Sequence, residues 1–177
     1  AHGPAFFVCD LTDMTELKRT VERVSAKVGP VSILVNNAAD DTRHKAEDVT
    51  PEFWDHVQSV NLKSQFFMAQ AVLPMMKKCG GGSIINLSSI AWRHGPDMFP
   101  VYGAAKAGVI GLTYSLARAF GPHNIRVNAI EPGAVMTERQ RRLWYPTQES
   151  IDVMVARQIL QSPLTGADIA RMALFLA

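Results

Sequence analysis

The chain has 177 residues, 47% hydrophobic and 19% charged, with 18 Lys and Arg against 16 Asp and Glu for a net charge of +2. That length fits one globular domain burying about 70% of its open-chain surface, and the composition excludes intrinsic disorder. No run approaches the roughly 18 apolar residues of a membrane span, and the balanced charge argues against a nucleic-acid or other polyanion binder.

From the amino end, Phe6-Phe7-Val8-Cys9 is a short apolar run read as a strand. A turn follows at Asp10-Leu11-Thr12-Asp13, and Leu17, Val21, Val24 and Val28 then fall at helical spacing. Val31 to Val35 is β-branched and apolar, a buried strand that stops at Asn36-Asn37-Ala38-Ala39 and gives way to the polar loop Asp40 to Asp48. Thr50-Pro51-Glu52 combines an N-cap, a proline at the first helical position and an acid in the first turn. It opens a long helix to about Lys78, which Pro74 is expected to kink. Gly80-Gly81-Gly82 ends that helix, Ser83 to Leu87 is the next strand, and Ser88-Ser89 opens a loop. Tyr102 to Phe120 reads as helix, Gly121-Pro122 stops it, Ile125 to Ile130 is a strand, and Glu131-Pro132-Gly133 breaks that strand. A polar and aromatic segment follows Thr137, with helices expected near Glu149 to Leu160 and Gly166 to Leu176. Strands alternating with helices of this length make βαβ units, hence an α/β fold: a doubly wound parallel sheet with helices on both faces.

Cys9 and Cys79 lie far apart without metal-ligand spacing, so both read as reduced thiols of a cytoplasmic protein with no metal site. In open parallel sheets, ligands bind beyond the carboxyl ends of the strands, where the polar turns at Asp10, Asn36, Ser88 and Glu131 converge. Tyr102 and Lys106 stand at i and i+4 on one helical face, so phenol and ammonium are neighbours. A cation within about 4 to 6 Å lowers a tyrosine pKa by roughly one to three pH units, which would make Tyr102 a general base. Ser89 follows the same strand end and can set its hydroxyl beside the phenol. Asn61 interrupts the long helix, where its side chain competes for backbone hydrogen bonds and admits a water towards Lys106.

Asn36-Asn37-Ala38-Ala39, Asn61, Ser89, Tyr102-Gly103-Ala104-Ala105-Lys106 and the Pro132-Gly133 to Thr137 segment together resemble the short-chain dehydrogenase/reductase family. That family carries N-N-A-G, a helical Asn, a Ser, Y-x-x-x-K and P-G-x-x-x-T in this order. The likeness runs from Asp10 to Leu174-Phe175-Leu176-Ala177. It implies a Rossmann-like fold, with Tyr102 as base, Ser89 positioning the substrate oxygen, Lys106 lowering the Tyr102 pKa and holding the nicotinamide ribose, and Asn61 holding a relay water. By the same resemblance Asp10 and Leu11 contact adenine, Asn37, Ala38 and Ala39 the adenosine side, and Pro132, Gly133, Val135 and Thr137 the nicotinamide; Tyr102 and Lys106 also touch the cofactor.

The chain departs from the family pattern in two ways. Ala39 replaces the usual Gly, which demands a φ below zero. The strand, Gly-rich loop, helix and second strand that open the family's fold are absent, as is its final strand. The expectation is therefore one domain, 1–177, truncated at both ends, a partial sheet with a gap beside the Phe6 strand. The resemblance implies NAD; NADP stays open, because the residue that reads the ribose 2′ position is not present. It also implies a homotetramer.

Within the family, Asp41-Thr42-Arg43-His44-Lys45, Trp54-Asp55, Trp92, His94 and Thr137 to Tyr145 are similar to bacterial NAD-dependent D-xylose 1-dehydrogenases and related aldose dehydrogenases. A polyol needs many donors and acceptors and a flat apolar face, which Arg, Gln, His and Trp supply. Ser89, Trp92, Tyr102, Gln140 and Trp144 are the expected substrate contacts. The expected reaction oxidises the anomeric hydroxyl of an aldose such as D-xylose to the lactone, hydride passing to the nicotinamide. Two alternatives stay open: a dehydrogenase of sugar acids or other hydroxy acids, whose carboxylate Arg139 or Arg43 would clamp, and a non-catalytic interaction module lacking a complete nucleotide site.

Overall fold

The structure, a computed structural model, describes residues 3–177. Asp13 caps helix α1 (Met14–Val28), its carboxylate accepting from the N–H groups of Thr15 and Glu16 at 2.8 and 3.1 Å. Ahead of that cap, Phe6 to Cys9 forms no strand, contrary to the expectation from its apolar run. A strand exists only through its ladder partner, and none lies beside this segment. Phe6 and Val8 stand 86% and 73% exposed, and Phe7 instead lies under the cationic groups of Arg23 and Lys27, each 5.6 Å from its ring centre.

Three parallel strands, β1 (Ile33–Asn36), β2 (Gly82–Leu87) and β3 (Ile125–Ile130), form one sheet in that order. Leu34 pairs with Ile84 and Ile84 with Val127, and strand alternation turns all three to one face. There they meet Leu17 and Val21 of α1, Ala69, Val72 and Met76 of α3 (Ser64–Lys78), and Leu116 and Phe120 of α5 (Pro100–Phe120). The other face carries Ser83 and Ile85; the Ser83 hydroxyl donates to the Leu176 carbonyl at 2.7 Å, at the end of α8 (Gly166–Leu176). Helices thus lie on both faces of a parallel sheet, and the central strand, buried on both sides, is correspondingly apolar. β1, expected to be buried from Val31, begins only at Ile33 and alternates, with Ile33 and Val35 46% and 44% exposed on the face that no helix covers there. Gly82 is required where β2 begins, since a Cβ there would stand 2.9 Å from the Ser32 carbonyl oxygen and 2.7 Å from Met76 Sδ.

The long helix expected from Thr50 to Lys78 is two α-helices, α2 (Pro51–Gln58) and α3, joined by a π-helical turn at Ser59–Lys63. Pro74 lies inside α3 without ending it. Three further short helices follow strand ends or the loop beyond them: α4 (Ala91–His94), α6 (Glu138–Leu143) and α7 (Gln148–Val155). α7 stops before the expected Leu160, because Ile159 and Leu160 have nothing to pack on and stand 100% and 78% exposed. Among the described residues, no helix is long and apolar enough to cross a membrane.

Candidate active site

Beyond the strand ends the ladder continues into the loops, with Ser88 N–H donating to the Ile130 carbonyl at 2.8 Å and Ile90 N–H to the Pro132 carbonyl at 3.1 Å. Val135 bridges to Leu164, and the Met136 N–H donates to the Leu164 carbonyl at 2.7 Å. This fixes Thr137, whose hydroxyl caps α6 by accepting from Gln140 N–H at 3.2 Å.

Helix α5 brings Tyr102 and Lys106 to the same edge. Its N-cap residue, Phe99, contributes no capping side chain, and Pro100 has no N–H to satisfy. The next residue, Val101, is held from outside: its N–H reaches His44 Nε2 at 3.3 Å and its carbonyl accepts from Gln58 Nε2 at 3.1 Å. Lys106 Nζ sits 5.4 Å from the Tyr102 ring centre and donates to the Leu87 carbonyl at 2.7 Å, while Ser88 Oγ donates to the Lys106 carbonyl at 2.7 Å.

The electrostatics differ from the sequence expectation. Lys106 is 1% exposed, and burial lowers its pKa from 10.5 to about 8, the negative charge of Asp41 opposing the fall. The Tyr102 phenol is raised, not lowered: burial dominates, a hydrogen bond with Ser89 works against it, and Asp41 adds to it. A spacing of i to i+4 makes the two residues neighbours, but burial decides the direction for both groups here.

Asn61 is fully buried in the π-helical turn. As expected, its amide competes for the helix backbone, donating to the Val57 carbonyl at 2.9 Å. It also grips both sides of Asp40, donating to its carbonyl at 3.0 Å and accepting from its N–H at 3.1 Å. The Asn61 carbonyl accepts from Gln65 Nε2 at 3.0 Å, so the residue ties the loop after β1 to the long helix.

A cavity of about 440 Å³ holds Ser89 and Tyr102 together with Asn37, Ala39, Pro132, Gly133, Val135, Thr137 and Gln140. A neighbouring groove of about 710 Å³ shares Asn37, Ala39, Tyr102, Pro132, Val135 and Thr137, adds Lys106, and is walled by Ile169, Ala173 and Leu174 of α8. Tyr102 stands where the two meet. Among the described residues only Asn124 has a positive φ without being glycine, so Ala39 meets the backbone condition its Cβ imposes.

Six expected site residues are not brought to this place, Asn61 among them, since its amide is taken up by Asp40 and Val57 and it lines neither space. Asp10 folds back on Thr12, accepting from its N–H and hydroxyl, each at 2.8 Å. Leu11 packs on the hydrophobic core, and Ala38 lines neither space. Trp92 turns outward because its indole N–H finds the Glu131 carboxylate at 2.9 Å, where Arg93 also binds; it lines a separate cavity beside Lys45 and Phe99. Trp144 lies beneath the Arg43 guanidinium, 3.6 Å from ring centre to Cζ.

Asp41 belongs to the site, although its sequence segment was picked out without giving it a role there. It lines the cavity, pairs with Arg139 at 2.5 Å and accepts from Gln140 Nε2 at 3.0 Å. The available signal was charge: two acids, Asp40 and Asp41, directly after the N-N-A-A turn, against the basic run Arg139 to Arg142. With Arg43 on Trp144, this makes a two-point clasp between the β1 loop and α6. A half-buried phenol beside a hydroxyl, on the wall of a cavity of mixed polar and apolar lining, is equipped to exchange a proton with an alcohol oxygen.

Comparison with known proteins follows the same line. The family model described as enoyl-(acyl carrier protein) reductase matches residues 1–177. The probable galactose dehydrogenase GalD of Rhizobium meliloti is 52% identical over 175 residues, which are 99% of this chain and 68% of that protein. A D-xylose 1-dehydrogenase of Caulobacter vibrioides is 44% identical over 98% of this chain and 68% of its own length. A crystal structure described as a short-chain alcohol dehydrogenase of Sinorhizobium meliloti superposes with a TM-score of 0.90 at 33% identity, covering 97% of this chain and 68% of that one.

Proposed function

The chain belongs to the short-chain dehydrogenase/reductase family, and on that premise we propose that it is a sugar oxidoreductase that oxidises the anomeric hydroxyl of an aldose to the lactone. The observation that carries this reading is the Tyr102–Ser89 pair on the wall of a cavity that opens beside an apolar groove. The two sugar dehydrogenases at 52% and 44% identity support the substrate class.

The groove suits the nicotinamide end of a dinucleotide, with Pro132 and Val135 as apolar wall and the Lys106 ammonium as its buried cation. Asn37, Ala39, Lys106, Pro132, Val135 and Thr137 would hold it. When bound, nicotinamide supplies the acceptor for the hydride lost from the anomeric carbon. The chain's own residues manage the proton and the orientation. Ser89 Oγ hydrogen-bonds the anomeric oxygen, and Tyr102 Oη takes its proton as the C–H bond breaks. Tyr102 does this as the phenolate and is left as the phenol; the Lys106 ammonium steadies the phenolate before the transfer, and Asn61 holds the β1 loop against the cavity through Asp40. The same reading takes NAD as the cofactor, a homotetramer as the working unit and the cytoplasm as the compartment.

The test follows reduced-nicotinamide absorbance with D-galactose, D-xylose and the corresponding sugar acids, each with NAD and NADP. Turnover of a neutral aldose, abolished in Tyr102→Phe with cofactor affinity retained, is the expected result. A Tyr102→Phe protein at near-full rate refutes the assignment, and turnover of the acids alone refutes the substrate class.

A further inference from the structure

We propose that His44 is a positioning residue for Tyr102, capping the tyrosine's helix from outside through the Val101 N–H. This rests on the reading of Tyr102 as the base, though its geometry does not.

The first turn of α5 lacks a side-chain cap of its own, yet it carries the phenol at the junction of cavity and groove. After Pro100, Val101 offers the first N–H left over by the helix. His44 Nε2 stands 3.3 Å from it. The tautomer follows from the ring's other contact: Nδ1 lies 2.9 Å from the Thr42 carbonyl, which can only accept, so Nδ1 bears the hydrogen and Nε2 presents a lone pair. That orientation is over-determined. Thr42 is pinned to Asp40 by its N–H and hydroxyl at 2.9 and 2.6 Å. The His44 N–H donates to the Met98 carbonyl at 2.7 Å, and the His44 ring stands edge-on to Phe53 of α2, 4.7 Å between centres.

Val101 is therefore the point where three elements meet: the β1 loop through His44, α2 through Gln58, and α5 itself. Tyr102 is the next residue, and its ring is braced edge-on by Phe99 at 5.5 Å. A shift of the first turn moves the phenol directly, and misplacement by about 1 Å costs on the order of a hundredfold in rate. Loss of this outside cap acts on placement of the phenol, not on substrate contacts.

Three variants separate the contacts. His44→Phe keeps the ring and its edge contact but neither hydrogen bond. His44→Asn keeps a donor for Thr42 but falls short of Val101, and His44→Gln carries an acceptor to where Nε2 sits. The expected pattern for aldose oxidation is a kcat about tenfold or more lower in His44→Phe and His44→Asn, with KM and cofactor Kd within about twofold, and recovery to within about threefold of the parent in His44→Gln. A second readout is independent of turnover: the near-ultraviolet phenolate titration assigned to Tyr102 by difference from Tyr102→Phe. Its step moves down towards ordinary tyrosine in His44→Phe and His44→Asn and stays in His44→Gln. Unchanged kcat and titration in His44→Phe overturn the proposal. So does a His44→Gln protein no better than His44→Asn, or a kcat loss matched by an equal loss of substrate affinity. Retained activity in Tyr102→Phe overturns the base reading instead, and the phenolate titration then judges His44 alone.

Discussion

Replacing Lys106 by Met tests the buried ammonium through stability. In the fold Lys106 gives up its proton at about 8, against 10.5 for the ordinary lysine of an unfolded chain. Between those values the unfolded chain binds more protons than the native one, so stability rises with pH across that window. The penalty for burying the charge is fully present below about pH 8 and fades towards pH 10.5. Each pH unit of difference being worth about 1.4 kcal/mol, linkage gives a gain of about 2 kcal/mol between about pH 8 and about pH 10. Tyr102 does not mask this, because its phenol is raised above 10 and loses stability only at higher pH. Urea unfolding of the parent and of Lys106→Met, without cofactor and with reductant, reads the difference. The parent gains about 2 kcal/mol on the variant over this range; parallel pH profiles would refute the desolvation argument.

Two further substitutions probe the site and its support. Asn61→Ala orphans both polar groups of Asp40, a loss of about 2 to 3 kcal/mol in chemical denaturation, and turnover falls with it; a variant within about 0.5 kcal/mol of the parent shows that the loop needs no such tie. Thr20 Oγ1 is buried without a partner, so Thr20→Val should leave the melting temperature unchanged or raise it, and a fall of more than about 4 °C, or roughly 1 kcal/mol, contradicts this.

What the sequence revealed depended on how local the physics was. Ile125 to Ile130 lies between Gly121-Pro122 and Pro132-Gly133, and the strand has those limits. Thr50-Pro51 starts α2 where cap and proline require, and the Tyr102–Lys106 spacing needs only a helix. Phe6 to Cys9 has an equally good local pattern, but strand formation is a relation to another segment, invisible in four residues. The tryptophans failed similarly. Trp92 and Trp144 are aromatic residues near the site in sequence, yet their orientations are set by Glu131 and Arg43, distant along the chain. Burial of Lys106 and Tyr102 arises from the assembled strand ends and helices, so i to i+4 spacing predicted the neighbour and not the direction of the tyrosine's pKa.

The π-helical turn at Ser59–Lys63 sets a phase difference. An α-helix advances about 100° per residue, and a π-turn accommodates one residue more than the α-helical repeat, so α2 and α3 are offset by about that angle from a single uninterrupted spiral. On one side of the offset Gln58 addresses Val101 in the first turn of α5; on the other, Gln65 addresses the Leu87 carbonyl at the end of β2, 3.5 Å from its Nε2. Deleting one residue between 59 and 63 would restore a uniform helix and rotate α2 by about 100° about its axis, swinging Gln58 away from Val101. One surplus residue thus lets a single rod face two directions, towards the helix that carries the phenol and towards the strand end that receives the lysine.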